Sequence, residues 1–134
     1  MSIIDVYEAI RSSERPLISL EVSALTNLGY TQTKQCLNRL VENEFLYTDG
    51  AMHPTRYGNA EICDERDAPV LIVLRCGRKP KTVADLAVAA NKSIEAIQIS
   101  LERLIQHDLV DYKLLANGDH NYFAVETATW ELPE

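Results

Sequence analysis

The sequence is poor in the residues that small stapled, fibrous or membrane proteins depend on. Its 134 residues hold three cysteines, five glycines, five prolines and one tryptophan. Cys36, Cys63 and Cys76 are odd in number and lack C-x-x-C spacing, which argues against a disulfide framework and against a cysteine-based zinc site. No apolar run is long enough to span a bilayer, so no membrane association is expected. The opening MSIIDVYEAI has neither the basic n-region nor the small-residue cleavage site of a secretory signal, so a cytoplasmic protein is expected. His53, His107 and His120 are isolated, without the H-x-x-x-H spacing that puts two ligands on one helix face. G-x-S-x-G, Walker and dinucleotide-binding motifs are absent as well. These absences argue against an enzyme, and they lead us to expect no metal and no cofactor.

Positive charge is also scarce. Thirteen Lys and Arg face twenty Asp and Glu, a formal net charge of -7, which repels a polyanion at long range. A nucleic-acid-binding function therefore requires local basic surface strong enough to outweigh the total.

What the chain has in place of these is a repeat. CLNRLVENEFLY at 36–47 returns as SLERLIQHDLVD at 100–111, an offset of 64 residues. At that offset Val6 falls on Val70, Ile10 on Leu74, Arg11 on Arg75, Pro16 on Pro80, Asn27 on Asn91, Leu37 on Leu101, Arg39 on Arg103 and Leu40 on Leu104. The identities are few, but the apolar pattern persists through three successive elements, which indicates an internal duplication. The polar run CDERDAP marks the connection and divides the chain into 1–64 and 65–134, the second half ending in a tail with Trp130.

Each half carries the same order of signals. Ile3, Val6, Tyr7 and Ile10 have helical spacing, and PVLIVLRC occupies the matching place with nearly continuous apolar character, so the second copy is expected to be the more buried. A proline-containing loop follows in each half. A short helix then starts at Ser19 or Thr82, where Thr82-x-x-Asp85 fits a capping box, and ends near Asn27 or Asn91, residues that tolerate a left-handed backbone. In the third helix Thr33, Cys36, Leu37, Leu40 and Val41 share a face, as do Ile97, Ser100, Leu101, Leu104 and Ile105. Alternating segments then lead into Asp49-Gly50 and Asn117-Gly118, strong hairpin-turn signals. The pattern predicts a mainly α chain with small β-hairpins, an α+β class.

Helix-turn-helix, a third helix ending in L-x-R-L, and F-L or L-V opening a hairpin together resemble the winged helix-turn-helix family, over essentially all of both halves. The resemblance implies two tandem winged-helix domains, a fold used for DNA binding and also for protein assembly. Family members usually have Gly just before the wing strand; Glu44 and Asp108 stand there instead.

In that geometry the outward face of the third helix enters a major groove. The first copy presents Thr31, Gln32, Lys34, Gln35, Asn38 and Arg39, and no carboxylate interrupts this face before Glu42. Amides, hydroxyls and cations are the groups that read base edges and grip phosphates. The second copy presents Glu95, Ala96, Gln98, Ile99, Glu102 and Arg103; its carboxylates repel phosphate and an exposed Ile favours a protein partner, so Glu95, Ile99 and Glu102 form a candidate protein interface. The run RCGRKPK supplies Arg75, Arg78, Lys79 and Lys81 as phosphate contacts in what reads as an extended loop, and Arg56 lies in the first wing.

The expectation is a small DNA-binding protein, a transcriptional regulator, that reads duplex DNA with its first third helix. The alternative is a non-enzymatic interaction protein, or an acidic inhibitor, built on the same fold. Either is compatible with a homodimer.

Overall fold

Among residues 2–50, 55–77 and 79–125, which a computed structural model describes, the helical apolar pattern becomes six helices and the alternating segments become two small antiparallel sheets, an α+β architecture. The chain separates into two units, Met1–Ile62 and Cys63–Glu134.

The first unit begins with α1 (Ser2–Arg11), which buries Ile3, Val6, Tyr7 and Ile10, the residues its spacing places on one stripe. Pro16 leads into a two-residue strand, β1 (Leu17–Ile18), followed by α2 (Ser19–Thr26) and α3 (Tyr30–Glu42). The inner face of α3 is Thr33, Cys36, Leu37 and Leu40, and the outer face, apart from the half-buried Lys34, is exposed. The chain then forms β2 (Leu46–Thr48) and β3 (Arg56–Asn59), and β3 lies between the other two strands. The sequence suggested only a loop at β1. Pairing of Leu17 and Ile18 with Tyr57 and Arg56 makes it a strand, because that partner lies about forty residues away. Phe45 meets Tyr7 edge-on, ring centroids 6.1 Å apart, while Tyr7 Oη donates to Asn59 Oδ1 at 3.1 Å. Each fully buried Leu or Phe contributes about 1.5–3 kcal/mol to such a core.

The second unit follows the same order: α4 (Ala68–Gly77), α5 (Val83–Ala90), α6 (Ile94–Gln106), β4 (Val110–Leu114) and β5 (His120–Ala124). Every residue of α4 from Ala68 to Leu74 is buried, as its continuous apolar run predicts. Arg75 and Gly77 belong to this helix and not to an extended loop, because the apolar run continues to the buried Cys76 and carries the helix with it. At the start of α5, Thr82 Oγ1 accepts from Asp85 N at 3.3 Å, so the threonine provides the cap. The β4–β5 connection is wider than a two-residue Asn-Gly turn. Leu115 N donates to the Asp119 carbonyl at 2.7 Å and Gly118 N to the Leu115 carbonyl at 3.0 Å, with Gly118 at φ 94°. This is the three-residue connection that needs glycine at its last position.

Helices α2 and α3 start and end 64 residues before α5 and α6. Their ends are alike too. Asn27 and Asn91 adopt φ of 61° and 56° after the short helices. After α3, Glu44 (φ 71°) donates to the Val41 carbonyl at 3.0 Å and Phe45 to the Leu40 carbonyl at 2.9 Å; after α6, Asp108 (φ 61°) and Leu109 repeat the pattern on Ile105 and Leu104. This paired bonding satisfies the last helical carbonyls and turns the chain toward the hairpin. Glycine is common at such positions because a Cβ is strained there; here two carboxylate residues accept the strain.

One ion pair is embedded in the second unit. Asp67, 2% exposed, receives two-pronged bonds from Arg103, with Nη2 to Oδ1 at 2.7 Å and Nε to Oδ2 at 2.9 Å. The pair ties α6 to the residue preceding α4. Arg103 therefore turns inward, a correction to its expected place on the outer face of α6. At the position 64 residues before Asp67 stands Ile3, so this carboxylate has no counterpart at the equivalent position of the first unit.

Three stability outcomes follow. Glu44→Gly and Asp108→Gly relieve roughly 1–2 kcal/mol of left-handed strain and lose about 0.5–1 kcal/mol to chain entropy, so each should raise the melting temperature by a few degrees in a thermal scan. Asp67→Ala strands a half-buried guanidinium and should cost about 2–4 kcal/mol in urea denaturation. Glu8→Ala, which removes the half-exposed partner of Arg11, should cost about 0–1 kcal/mol.

Candidate nucleic-acid interface

The outer face of α3 is built by a helix whose start is left open. Its N-cap is Gly29, which offers no side chain to the first N–H groups, and no acidic residue lies in the first turn. That end of the helix therefore presents partial positive charge and unpaired donors to solvent. Thr31, Gln32, Gln35, Asn38 and Arg39 are exposed along the face, and Glu42 closes it. Gln32 Nε2 donates to Ser2 Oγ at 3.1 Å, which holds one amide toward the start of α1.

Lys34 differs from its neighbours. It is half-buried, its Nζ donates to Tyr57 Oη at 3.3 Å, and the ammonium lies 5.9 Å from the tyrosine ring centroid. Tyr57 is buried in β3, so Lys34 joins the helix to the hairpin. Arg56, next on β3, is exposed, and its N–H donates to Asp49 Oδ1 at 3.3 Å. The structure thus brings α3 and the first hairpin together through a tyrosine that the sequence reading passed over. Tyr30, 51% exposed at the first position of α3, was also missed. Its signal was an aromatic directly after the turn residue Gly29.

The corresponding helix α6 is closed at the same place. Ser93 Oγ accepts from Ala96 N at 3.1 Å, and Glu95 occupies the first turn. Glu95, Gln98, Ile99 and Glu102 are exposed, Ile99 at 51%, with a second apolar side chain, Ile94, at 50%. Ile94 opens the helix, a place sequence periodicity assigns to neither face.

The basic run of the second unit is dispersed among elements. Arg75 lies in α4 and is half-buried, Lys79 is exposed, and Lys81 pairs with Tyr122 as an isolated bridge. Arg78, Pro54, His53 and Trp130 lie outside the described residues.

The titratable groups resolve into structural roles. The Arg15 guanidinium holds Glu21 down to about 2, helped by the Ile18 N–H, and Glu21 Oε1 accepts that N–H at 3.0 Å at the start of α2. Burial pushes the Cys63 thiol up to about 11 and raises Cys36 as well, which leaves both poor nucleophiles at neutral pH. Among the described residues no group of three His, Cys, Asp or Glu is placed to hold a metal ion. No helix among them is long and apolar enough to cross a membrane.

No family model matches the chain, and no curated protein does. Among solved structures it is similar to ScpB from Mycobacterium tuberculosis, at 12% identity over 92% of this chain and 89% of that one, with a TM-score of 0.38. A conserved hypothetical protein from Chlorobium tepidum is similar at 15% identity over 92% and 90% of the two chains, again with a TM-score of 0.38.

Proposed function

We propose that the chain is a non-enzymatic protein of two tandem winged-helix domains, 1–64 and 65–134, in which α3 of the first binds duplex DNA as part of a transcriptional regulator. One observation carries this reading. Helices α3 and α6 have the same length and the same C-terminal bonding 64 residues apart, yet their outer faces differ in chemistry. The face of α3 is amide, hydroxyl and cation up to Glu42, whereas α6 places Glu95 and Glu102 around Ile99. Amides and cations at that face suit base edges and phosphates, and the open helix start suits a phosphate. The Lys34–Tyr57 contact supports the same role by holding the hairpin beside the helix, where Arg56 is available to a phosphate. The first unit carries five basic and eight acidic side chains, so the attraction must be local to this face.

The exposed Ile99 between two carboxylates favours a second role for the second unit, contact with a protein surface that is apolar at its centre and basic around it.

Gel shifts on mixed genomic duplexes test the first reading. Binding should be present at low salt and fall steeply as salt rises. Gln35→Ala with Asn38→Ala, both on exposed positions outside the core, should weaken it about tenfold or more without lowering the melting temperature. Lack of any shift at low salt removes the DNA reading. For the second role, Ile99→Asp should abolish retention of a protein partner on immobilised chain while leaving duplex affinity unchanged; unaltered retention takes Ile99 out of the interface.

A further inference from the structure

The basic run at residues 79–81 and the second hairpin are separated by some thirty residues of sequence, and the fold joins them. Lys81 N donates to the Tyr122 carbonyl at 2.8 Å, and Tyr122 N donates to the Lys81 carbonyl at 2.7 Å. Tyr122 is in turn registered with Tyr112 on β4. Directly opposed residues of antiparallel strands place their side chains on the same face, so Lys81, Tyr122 and Tyr112 form one row across the sheet. Two residues further along the strand, Leu114 pairs with His120 on that same face.

The rings of this row are clustered. Tyr112 and His120 meet edge-on with centroids 4.7 Å apart, Tyr112 and Tyr122 are tilted at 5.7 Å, and His120 lies 6.1 Å from Tyr122. They are not core. Tyr112 is 45% exposed and Leu114 68%, while Val110, at the other end of β4, is 2% exposed and anchors the strand. The hairpin is therefore rooted in the core at one end and carries an exposed aromatic surface at the other, with Lys81 in its row and the exposed Lys79 two residues before.

We propose that this surface binds unpaired nucleic-acid bases, the rings stacking on bases while Lys79 and Lys81 contact the phosphates between them. Exposed aromatics flanked by cations are the combination that single strands recognise, and a paired duplex keeps its base faces inside the stack, out of reach of such rings. The nearby carboxylates have partners within the hairpin. Asp111 alternates onto the opposite face and its Oδ1 accepts from Tyr112 N at 2.8 Å, and Asp119 Oδ2 accepts from Asn117 Nδ2 at 3.3 Å in the turn. The surface lies in the other unit from α3 and does not depend on the duplex reading.

Fluorescence anisotropy with a labelled oligothymidylate of about 12 nucleotides tests it on the full chain. The wild type should bind at low salt, and Tyr112→Ala should weaken binding about fivefold or more, with Tyr112→Phe within about twofold of wild type. Lys79→Gln with Lys81→Gln, which leaves the backbone bridge intact, should weaken binding and flatten the salt dependence by roughly one unit of log–log slope. Should Tyr112→Ala fail to fold by circular dichroism, the lysine variant decides. Gln35→Ala with Asn38→Ala should leave oligothymidylate binding unchanged, which separates this surface from α3. No binding at low salt, or wild-type binding by the folded Tyr112→Ala and lysine variants, overturns the proposal.

Discussion

The hydrogen bond from Phe45 N–H to the Leu40 carbonyl, with its counterpart from Leu109 to Leu104, decides where each third helix stops and where each hairpin begins. It forms only because Glu44 and Asp108 enter a left-handed backbone that costs each of them free energy. The gain is spread over the rest of the unit. Phe45 reaches the core against Tyr7, Leu46 starts the strand that pairs with β3, and the outer face of α3 is left uncovered. An earlier or later helix end rotates the following residues off the core face, so the exposed surface follows from this terminus.

Net charge is a poor guide to a chain organised in this way. The total of -7 describes the long-range field, but part of the acidity is committed locally. Glu21 is bonded to Arg15, Asp64 to Arg66, and Asp67 to Arg103. What an anionic partner meets at short range is set by individual faces. The exposed stretch of α3 before Glu42 has no carboxylate, whereas the matching stretch of α6 has Glu95 and Glu102. Screening at physiological salt limits exposed charges to about 8 Å, which lets a locally suitable face act within an acidic molecule.

Much of the helical architecture was legible from residue spacing. Leu37 and Leu40, or Leu101 and Leu104, can be assigned to the core from periodicity alone, and Asn27 and Asn91 to left-handed turns from their chemistry. Less legible was anything that depends on a distant partner. Strand β1 exists because Leu17 pairs with Tyr57, and no local pattern in two residues could announce it. Arg103 sits on the outward side of the helical wheel, but Asp67 draws it inward by a charge-assisted pair that a wheel does not represent. Lys34 lies on the outward side of the helical wheel, but it is half-buried, and its contact with Tyr57 makes it a link to the hairpin as well as a cation. The basic run read as one extended cluster, while helix α4 takes Arg75 and sheet pairing takes Lys81.

The sequence by itself determined the helices, their buried stripes, the ends of α2 and α5 and the contrasting chemistry of α3 and α6, because these depend on neighbours within a few residues of one another. Tertiary structure alone decided which of those side chains meet: Lys34 with Tyr57, Arg103 with Asp67, and Lys81 in one row with Tyr122 and Tyr112. The physical reason is range. Propensity and periodicity act along the chain, whereas strand pairing, ion pairs and ring contacts join residues whose separation in sequence carries no trace of their approach in space.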